Sequence, residues 1–503
     1  AATWTTLESR GRSDRRPIVP ELRPYQVAGV DWLRQSFGDP YARVRLLCDE
    51  MGLGKTPQAV VALPGEAWGD PDPGVLVVAP VGVHAVWRRH VQDWRPDLRP
   101  TIVGATTDLR APALGEVLIV SPDALGWACG AASRSKRSKT PLGHSAAAAA
   151  AAVRRLRAGI LALGPRAVIL VDEAHRIKGS KARRALAVGA ICKEASARGA
   201  TVWGITATPT PRDAADLWCL VDHLGASAHP AAWRGQGLPG WAKWARGTCV
   251  RGVWKFAGEP LSPISEALGG LFLRRLVADH LEEIPPPTHA LHLVHLADDL
   301  RDEADAVLGD ACRSLGIDPR RVQKDASEPG DDADEALARA TAHLDRGKLS
   351  ALSAKISAAK VPTVLDLVRR NVDDGHAVIV YSEHRAPVDA VANLGYPVIV
   401  GGLSATATKT AVAKFQEGDA EVIGFTAAGR EGVTLTRASV FIEADTGWSA
   451  DDRNQALGRA VRFGQERSVS VIHVVAAHPL EALKMRVLRR KRRFNLTALG
   501  SSL

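Results

Sequence analysis

The chain has 503 residues, which is too long for a single hydrophobic core. This length predicts two to four domains. Its apolar content of 46% with ordinary charge density indicates a globular protein, and no apolar run reaches the length that spans a bilayer. The formal net charge of +10 favours a polyanionic partner, with nucleic acid first. The excess lies in local basic clusters, for which a solvated face is the alternative interpretation.

Residues 1–20 are polar, basic and interrupted by prolines, which predicts a flexible entry segment. The N-terminus lacks the basic and apolar zones of a signal peptide, so we expect an intracellular protein. The six cysteines are widely spaced, without a Cys-x-x-Cys pair, and indicate buried thiols rather than disulfides or a zinc site. Abundant Ala and Arg with few Lys indicate a GC-rich genome, and we expect a cytoplasmic, nucleoid-associated protein of a bacterial or phage-infected cell.

A glycine-bearing loop at Asp49 to Thr56 follows the apolar run Val44 to Cys48 and leads into a predicted helix. A strand, loop and helix of this kind hold a nucleotide, because the glycines let backbone N–H groups surround phosphate oxygens. Lys55 would reach the terminal phosphates and Thr56 would ligate Mg²⁺. Asp49 stands where the usual pattern has its first glycine, so a plain strand-to-helix turn is the alternative interpretation.

Short apolar runs alternate with amphipathic stretches as far as about Leu224, which predicts a parallel sheet flanked by helices. The runs are Val44 to Cys48, Val75 to Ala79, Glu116 to Val120, Ala167 to Val171 and Thr201 to Ile205. A basic, Ser-rich insertion at 133–139 precedes an alanine run at 146–152. We expect a basic loop that leads into a helix, and both DNA contact and a solvated surface excursion stay open.

The alternation stops between about residues 226 and 352, where we expect a helical protrusion and linker. Tryptophans there are interleaved with basic residues, a pattern that suits stacking on single strands or, more simply, a packed core. Three prolines at 285–287 interrupt the chain, and the acidic, Ala-rich stretch from Asp298 to Leu344 predicts helix.

A second alternating region, from about Ala354 to Ala476, predicts another α/β lobe. Its predicted strands are Ala377 to Tyr381, Pro397 to Val400, Val422 to Phe425, Val440 to Ala444 and Val469 to Val475. The predicted domains are a basic segment at 1–20, lobe 1 at 21–225, the helical region at 226–352, lobe 2 at 353–478 and a basic helix and tail at 479–503.

Two acidic residues, Asp172 and Glu173, follow the apolar strand 167–171 at its carboxyl end, where open α/β sheets bind ligands. Asp172 is suited to hold the Mg²⁺ that bridges two phosphates, and Glu173 to orient or deprotonate the attacking water. An acidic pair that caps a helix is the alternative interpretation.

The order of these motifs resembles that of Swi/Snf-type, superfamily-two helicase-like ATPases, over about Leu22 to Arg493. Leu271 to Arg275 resembles the segment with which this group leaves its first helical protrusion. The resemblance implies an α/β fold of two RecA-like parallel-sheet lobes with helical insertions between them, and an ATPase that uses ATP and Mg²⁺. The sequence around Glu116 to Ser121 and Gly464 to Val469 is most similar to that of the HepA-related annealing-helicase branch.

The resemblance also assigns roles to residues of lobe 1. The implied nucleotide-binding residues are Arg23, Gln26, Gly52, Gly54, Lys55 and Thr56, with Thr56 and Asp172 on Mg²⁺. The implied residues on the coupling and DNA side are Pro80, Trp87, Ser121, His175, Thr206 and Thr208.

In lobe 2, the Gln-x-x-x-Arg-x-x-Arg spacing places Gln455, Arg459 and Arg462 along one side of a helix. The two arginines are expected to reach the γ-phosphate as arginine fingers, and an Arg pair on a solvated helix is the alternative. The resemblance adds Gly432 and Gln455 to the nucleotide-binding residues. Thr434 departs from the Asn usual in the group, which puts coupling in question more than ATP hydrolysis.

The expected function is ATP-driven translocation along double-stranded DNA that remodels or reanneals DNA or displaces bound proteins. Duplex or forked DNA would be held through its phosphate backbone, without sequence preference, and the protein would act as a monomer away from membranes. Three alternatives stay open: a strand-separating helicase, a motor subunit of a larger nucleoprotein or defence complex, and a non-catalytic, ATP-switched DNA-binding protein.

Overall fold

The structure, a computed structural model, contains two parallel β-sheets that follow one another along the chain. It describes residues 21–38, 43–130, 146–179, 182–209, 214–226, 249–250, 253–254, 269–280, 285–314, 346–427, 433–445, 447, 450–462, 464–482, 484–485 and 488. The predictions for 1–20, for the insertion at 133–139, for Gly432 and for the tail from 489 onward lie outside these residues. No helix within the described ranges is long and apolar enough to cross a membrane.

Lobe 1 is built on a seven-stranded sheet in which every pairing is parallel. Its strands are β1 (Val44–Leu47), β2 (Gly74–Val78), β3 (Arg99–Ile102), β4 (Glu116–Val120), β5 (Ala167–Asp172), β6 (Thr201–Ile205) and, after the antiparallel pair β7 (Cys249–Val250) and β8 (Val253–Trp254), β9 (Phe272–Leu273). The order across the sheet is β3-β4-β2-β5-β6-β1-β9. All five strands predicted for this lobe are present, and β3 is an additional edge strand.

Helices cover both faces of this sheet. One face carries α1 (Pro24–Gly38), α2 (Lys55–Val61) and α3 (His84–Trp94), and the other carries α4 (Pro122–Gly130), α5 (Ala146–Leu163), α6 (Arg183–Ala197) and α7 (Ala214–His223). The central strands β2 and β4 are buried along their whole length because both of their faces are covered. Because the strands are parallel, the carboxyl ends of β1, β2, β5 and β6 lie at one edge of the sheet, and the predicted motifs extend from this edge.

Lobe 2 has a six-stranded sheet, again with only parallel pairings. Its strands are β10 (Thr288–Val294), β11 (Val378–Ser382), β12 (Val398–Ile399), β13 (Val422–Thr426), β14 (Val440–Glu443) and β15 (Ser470–Ala476), in the order β10-β15-β14-β11-β13-β12. The helices from the linker onward are α8 (Val277–His280), α9 (Asp298–Ser314), α10 (Arg346–Asp373), α11 (Arg385–Asn393), α12 (Ala405–Glu417) and α13 (Ala450–Leu457). Two parallel-sheet lobes thus confirm the predicted fold class.

The region predicted to be a helical protrusion and linker contributes one strand to each sheet. β9 runs beside β1, with Phe272 opposite Leu46, and β10 runs beside β15 at the edge of lobe 2. No strand was predicted for these two segments. β9 has only two residues, and β10 leaves Leu291 and Leu293 59% and 54% exposed, so neither shows the apolar period of a buried strand.

A buried charged cluster attaches the segment after β15 to α10. Lys360 pairs with Glu481 at 2.6 Å, and Lys484 pairs with the other carboxylate oxygen at 2.9 Å. Burial would raise the pKa of Glu481, but the two ammonium groups outweigh burial and hold this pKa at about 2. The carboxylate therefore remains charged inside the lobe.

Glu481 is expected to stabilise the fold most strongly near neutral pH. Its folded pKa of about 2 lies below the ordinary value of 4.5, so its contribution is complete above the ordinary value and is lost as the pH falls towards 2. The shift corresponds to about 3 kcal/mol. Glu481→Gln should therefore lower the free energy of unfolding by about 3 kcal/mol at about pH 7 and by less than half of that at about pH 3, as measured by urea unfolding.

Glu303→Gln is the matched control, because Glu303 pairs with Lys355 on the surface, where the two side chains are 41% and 57% exposed. Its loss should change the free energy of unfolding by no more than about 0.5 kcal/mol. Equal destabilisation by Glu481→Gln at both pH values would contradict the assignment.

Candidate nucleotide site at the lobe interface

The phosphate loop, Asp49 to Thr56, leaves the carboxyl end of β1 and turns into α2. Gly52 and Gly54 adopt φ angles of 93° and 70°, a conformation that a side chain would strain. The Lys55 ammonium donates to the backbone carbonyls of Asp49 at 2.8 Å and Glu50 at 3.2 Å. The loop is therefore a closed turn with the lysine head held across it.

The acidic pair lies at the end of β5, within electrostatic reach of the lysine. Burial lowers the pKa of Lys55, whereas the charges of Asp49, Glu173 and Asp172 raise it. Asp172 Oδ2 accepts a hydrogen bond from Trp87 Nε1 at 2.7 Å, and Oδ1 accepts from the Glu173 N–H at 2.8 Å. The structure thus brings the predicted lysine and both predicted carboxylates to one place.

The two carboxyl groups differ in basicity. Burial and the Glu173 charge raise the pKa of Asp172 to about 6. Burial would also raise the pKa of Glu173, but the hydrogen bond and charge of His175, with the charges of Lys55 and Arg459, hold it below its usual value. Glu173 is also the one non-glycine residue with positive φ in the described part of the chain, at 47°. Strain of this kind persists where surrounding contacts hold it, often at functional sites.

A polar chain leads from Glu173 to the end of β6. The His175 ring nitrogen Nδ1 lies 3.3 Å from Glu173 Oε2 and 3.0 Å from Thr206 Oγ1. Thr206 Oγ1 in turn accepts from the Thr208 N–H at 3.1 Å. The residue suited to activate water is therefore connected to both threonines that were predicted for coupling.

Lobe 2 approaches the phosphate loop through the segment that follows α13. A Cβ built on Gly52 would stand 3.7 Å from Arg462 Cβ, and one built on Gly458 would stand 2.7 Å from Met51 Sδ. A side chain at position 458 would therefore require the Met51 side chain to move. Arg462 Nη1 donates to Thr434 Oγ1 at 3.0 Å, so the threonine that departs from the group's pattern still orients this arginine.

Three further lobe 2 residues were predicted for the nucleotide site: Arg459, Gln455 and Gly432. The charge of Arg459 lowers the pKa of Glu173, so Arg459 lies across the interface from the acidic pair, within electrostatic reach of it. Gln455 is on α13 and only 6% exposed. Gly432 lies outside the described residues.

Two of the implied nucleotide-binding residues, Arg23 and Gln26, lie at the start of α1, and Gln26 contacts the phosphate loop directly. The Arg23 N–H donates to Gln26 Oε1 at 2.9 Å, and Gln26 Nε2 donates to the Leu53 carbonyl at 3.2 Å. The Tyr25 and His280 rings lie beside them, with centroids 5.1 Å apart. Gln26 is thereby held at the loop.

Most residues predicted for the DNA side lie beneath the surface. Trp87 is fully buried, Pro80 is buried after β2, and Thr206 is 1% exposed. Ser121 Oγ accepts from a backbone N–H of α4 at 3.1 Å and caps that helix. These positions suit the transmission of movement inside lobe 1. Because Trp87 is fully buried, it does not contact DNA directly.

Sequence reasoning missed a buried ion pair beneath the loop. Arg275, which follows β9, pairs with Asp49, and the two side chains are 1% and 0% exposed. Arg275 Nη2 also donates to Gln58 Oε1 at 2.6 Å, and Gln58 Nε2 donates to Asp49 Oδ2 at 3.1 Å. Asp49 therefore occupies the usual glycine position as an anchor for the linker. The departure of Asp49 from the usual pattern was the available signal, but no sequence pattern named its partner.

Two parallel α/β lobes, with a phosphate loop and acidic pair on one and two arginines on the other, define the class of helicase-like, superfamily-two ATPases. Residues 25–302 match the SNF2-related domain, and residues 359–464 match the helicase conserved C-terminal domain. The first match alone covers more than half of the chain, so the chain belongs to the SNF2-related family. The predicted Swi/Snf-type family is confirmed.

Several curated proteins are similar to this chain at 24% identity. They include the ISWI chromatin-remodeling complex ATPase ISW1 of Saccharomyces cerevisiae, which aligns with 95% of this chain and 40% of its own length. The human DNA annealing helicase and endonuclease ZRANB3 aligns with 97% of this chain and 41% of its own length. For the Xenopus tropicalis SWI/SNF-related matrix-associated actin-dependent regulator of chromatin subfamily A-like protein 1, the shares are 90% and 42%. The chain thus spans about two fifths of the length of these relatives.

Among solved structures, the Sulfolobus solfataricus SWI2/SNF2 ATPase core in complex with dsDNA is similar over 97% of this chain and 95% of its own, at 18% identity and a TM-score of 0.37.

Proposed function

We propose that this chain is a DNA-dependent ATPase that binds ATP and Mg²⁺ between its lobes and uses hydrolysis to move along double-stranded DNA. The observation that carries the proposal is the approach of the Gly458 to Arg462 segment to the phosphate loop, with Glu173 within reach of the Arg459 charge. A nucleotide in this position would contact catalytic groups from both lobes. Its hydrolysis would then change how the lobes are held together.

The residues present fit Mg²⁺. Thr56 offers a hydroxyl next to Lys55, and Asp172 offers a carboxylate at the end of β5, which are the oxygen ligands that Mg²⁺ prefers. No cluster of three or more His, Cys, Asp or Glu that could hold a metal occurs among the described residues. Phosphate and water oxygens would complete the coordination, and the ion would neutralise charge on the β and γ phosphates.

The protein groups would act on the terminal phosphate from several sides. Lys55 would bind its oxygens, and Glu173, whose pKa is held low, would orient the attacking water and accept its proton. Arg459 and Arg462 would stabilise the charge that develops as the bond breaks. The chain from Glu173 through His175 to Thr206 would carry the change at the phosphate to the end of β6.

Duplex DNA is the proposed track, held through its phosphates. The net charge of +10 supports a polyanionic partner, and backbone contacts explain how a motor moves without regard to sequence. The relatives include a chromatin-remodelling ATPase and an annealing helicase, which supports remodelling or reannealing over strand separation. The specific activity expected on such DNA is the reannealing of separated strands.

The proposal is tested by ATP turnover without nucleic acid and with single-stranded, duplex and forked DNA. We expect strong stimulation by duplex or forked DNA, reduced by added salt because counterions compete for the phosphates. Glu173→Gln should abolish the stimulated rate while it leaves nucleotide binding intact.

Each other outcome selects a different function. Stimulation by single strands alone would indicate a strand-separating helicase. The absence of turnover under all four conditions would indicate a subunit that requires a partner or an ATP-switched DNA-binding protein. A strand-annealing assay on a bubble substrate then separates reannealing from translocation alone.

A further inference from the structure

We propose that Trp87 is a positioning residue whose indole N–H orients the Asp172 carboxylate and thereby sets the affinity of the site for Mg²⁺ with nucleotide. This inference rests on the proposed function, because it takes Asp172 as the carboxylate that faces Mg²⁺. It gives Trp87 a role that differs from the DNA-side role implied by its motif.

The geometry at Asp172 determines the direction of the carboxylate. Trp87 Nε1 donates to Oδ2 at 2.7 Å, and the Glu173 N–H donates to Oδ1 at 2.8 Å. One donor on each oxygen fixes the carboxylate plane, yet each oxygen keeps a further lone-pair site for a cation or for a water bound to it. Without the indole donor, only the backbone N–H would restrain the carboxylate.

The donor itself is rigidly held. Trp87 lies on α3 with its side chain fully buried, in the apolar core that it shares with Val91. The first residue of α3, His84, places its Nε2 2.9 Å from the Ala79 carbonyl, which ties the start of the helix to the end of β2. β2 is the direct neighbour of β5, with Val78 opposite Val171. The indole and the carboxylate are therefore positioned by adjacent strands.

Groups that orient a metal-binding carboxylate usually change metal affinity about 10- to 100-fold when they are removed. Nucleotide contacts that do not involve Mg²⁺ should be unaffected. The predicted signature of Trp87 is therefore a change in the Mg²⁺ requirement, separate from nucleotide binding in the absence of the ion.

The test compares Trp87→Phe with Trp203→Phe in the full chain. Trp203 is a matched control: it is also fully buried in lobe 1, and its Nε1 donates to Ser36 Oγ at 3.0 Å rather than to the acidic pair. Binding of a fluorescent, non-hydrolysable ATP analogue is titrated with Mg²⁺ and repeated with EDTA. We expect the Mg²⁺ concentration for half-maximal binding to rise about 10- to 100-fold in Trp87→Phe and to stay unchanged in Trp203→Phe. Binding in EDTA should be equal in all three proteins.

A second variant removes the donor with almost no change in shape, in case the phenylalanine ring disturbs packing. Benzothienylalanine at position 87 replaces the indole N–H by sulfur, and it should reproduce the shift of Trp87→Phe. An unchanged Mg²⁺ requirement in this variant, or equal shifts in Trp87→Phe and Trp203→Phe, would overturn the positioning role. Absence of any Mg²⁺-dependent nucleotide binding by the wild-type chain would overturn the proposed function and this inference together.

Discussion

Arg459→Ala is expected to lower the rate of ATP hydrolysis by about 10³-fold or more, with nucleotide affinity nearly unchanged. Arg459 acts electrostatically on Glu173, and the neighbouring Arg462 packs over Gly52 of the phosphate loop. The guanidinium comes from the opposite lobe and would interact most strongly with the negative charge that develops while the phosphoryl group is transferred. Its loss should therefore appear in the rate rather than in binding. Single-turnover hydrolysis and equilibrium binding of an ATP analogue measure the two quantities.

Two further variants make this result specific. Arg459→Lys keeps the charge but loses the planar, forked donor geometry, so it should recover only part of the rate. Arg385→Ala is the matched control in lobe 2, since Arg385 pairs with Asp389 on the surface and is 60% exposed. A parallel loss of affinity and rate in Arg459→Ala would show that this arginine binds the ground state, contrary to the assignment.

Arg275→Ala is expected to lower the free energy of unfolding by about 3–5 kcal/mol, because it leaves the Asp49 charge buried without its partner. The variant should also weaken nucleotide binding. The Asp49 carbonyl holds Lys55, and the Glu50 N–H donates to the Arg275 carbonyl, so the linker supports the loop from below. Urea unfolding and nucleotide titration measure the two effects.

Stability and positioning can be separated by removing both charges. Asp49→Leu combined with Arg275→Met should regain most of the stability, since no unpaired charge remains, but should not regain nucleotide affinity. Arg95→Ala is the matched control in the same lobe, because Arg95 is 2% exposed and pairs with Asp97 away from the loop. If Arg95→Ala weakened nucleotide binding as much as Arg275→Ala, the positioning role of Arg275 would be wrong.

The parts that could be predicted from sequence are those with a local signal. β2 and β5 are continuous apolar runs because both of their faces are covered, so their positions and parallel pairing were visible. Polar residues at the carboxyl ends of such strands, such as Asp172 at the end of β5 and Thr206 directly after β6, must collect at one edge of the sheet. The phosphate loop, the acidic pair and the coupling threonines could therefore be located before their geometry was known.

The missed strands lack such a signal. β3 contains a proline and lies at the sheet edge, β9 has two residues, and β10 exposes alternate leucines, so their pairing depends on the strand beside each of them. Edge strands are covered on fewer sides, and their sequences are accordingly less apolar. The strands of the linker region were missed for this physical reason.

The sequence by itself determined the class of fold, the family resemblance and the positions of the lysine, the carboxylates and the arginines, because periodicity and motif spacing are properties of neighbouring residues. Only the tertiary structure decided which distant residues meet. Trp87 and Asp172 are 85 residues apart, and Asp49 and Arg275 are 226 apart. These pairs form because a buried polar group needs a hydrogen-bond partner, and the distant partner is selected by the packing of strands and helices rather than by any local pattern.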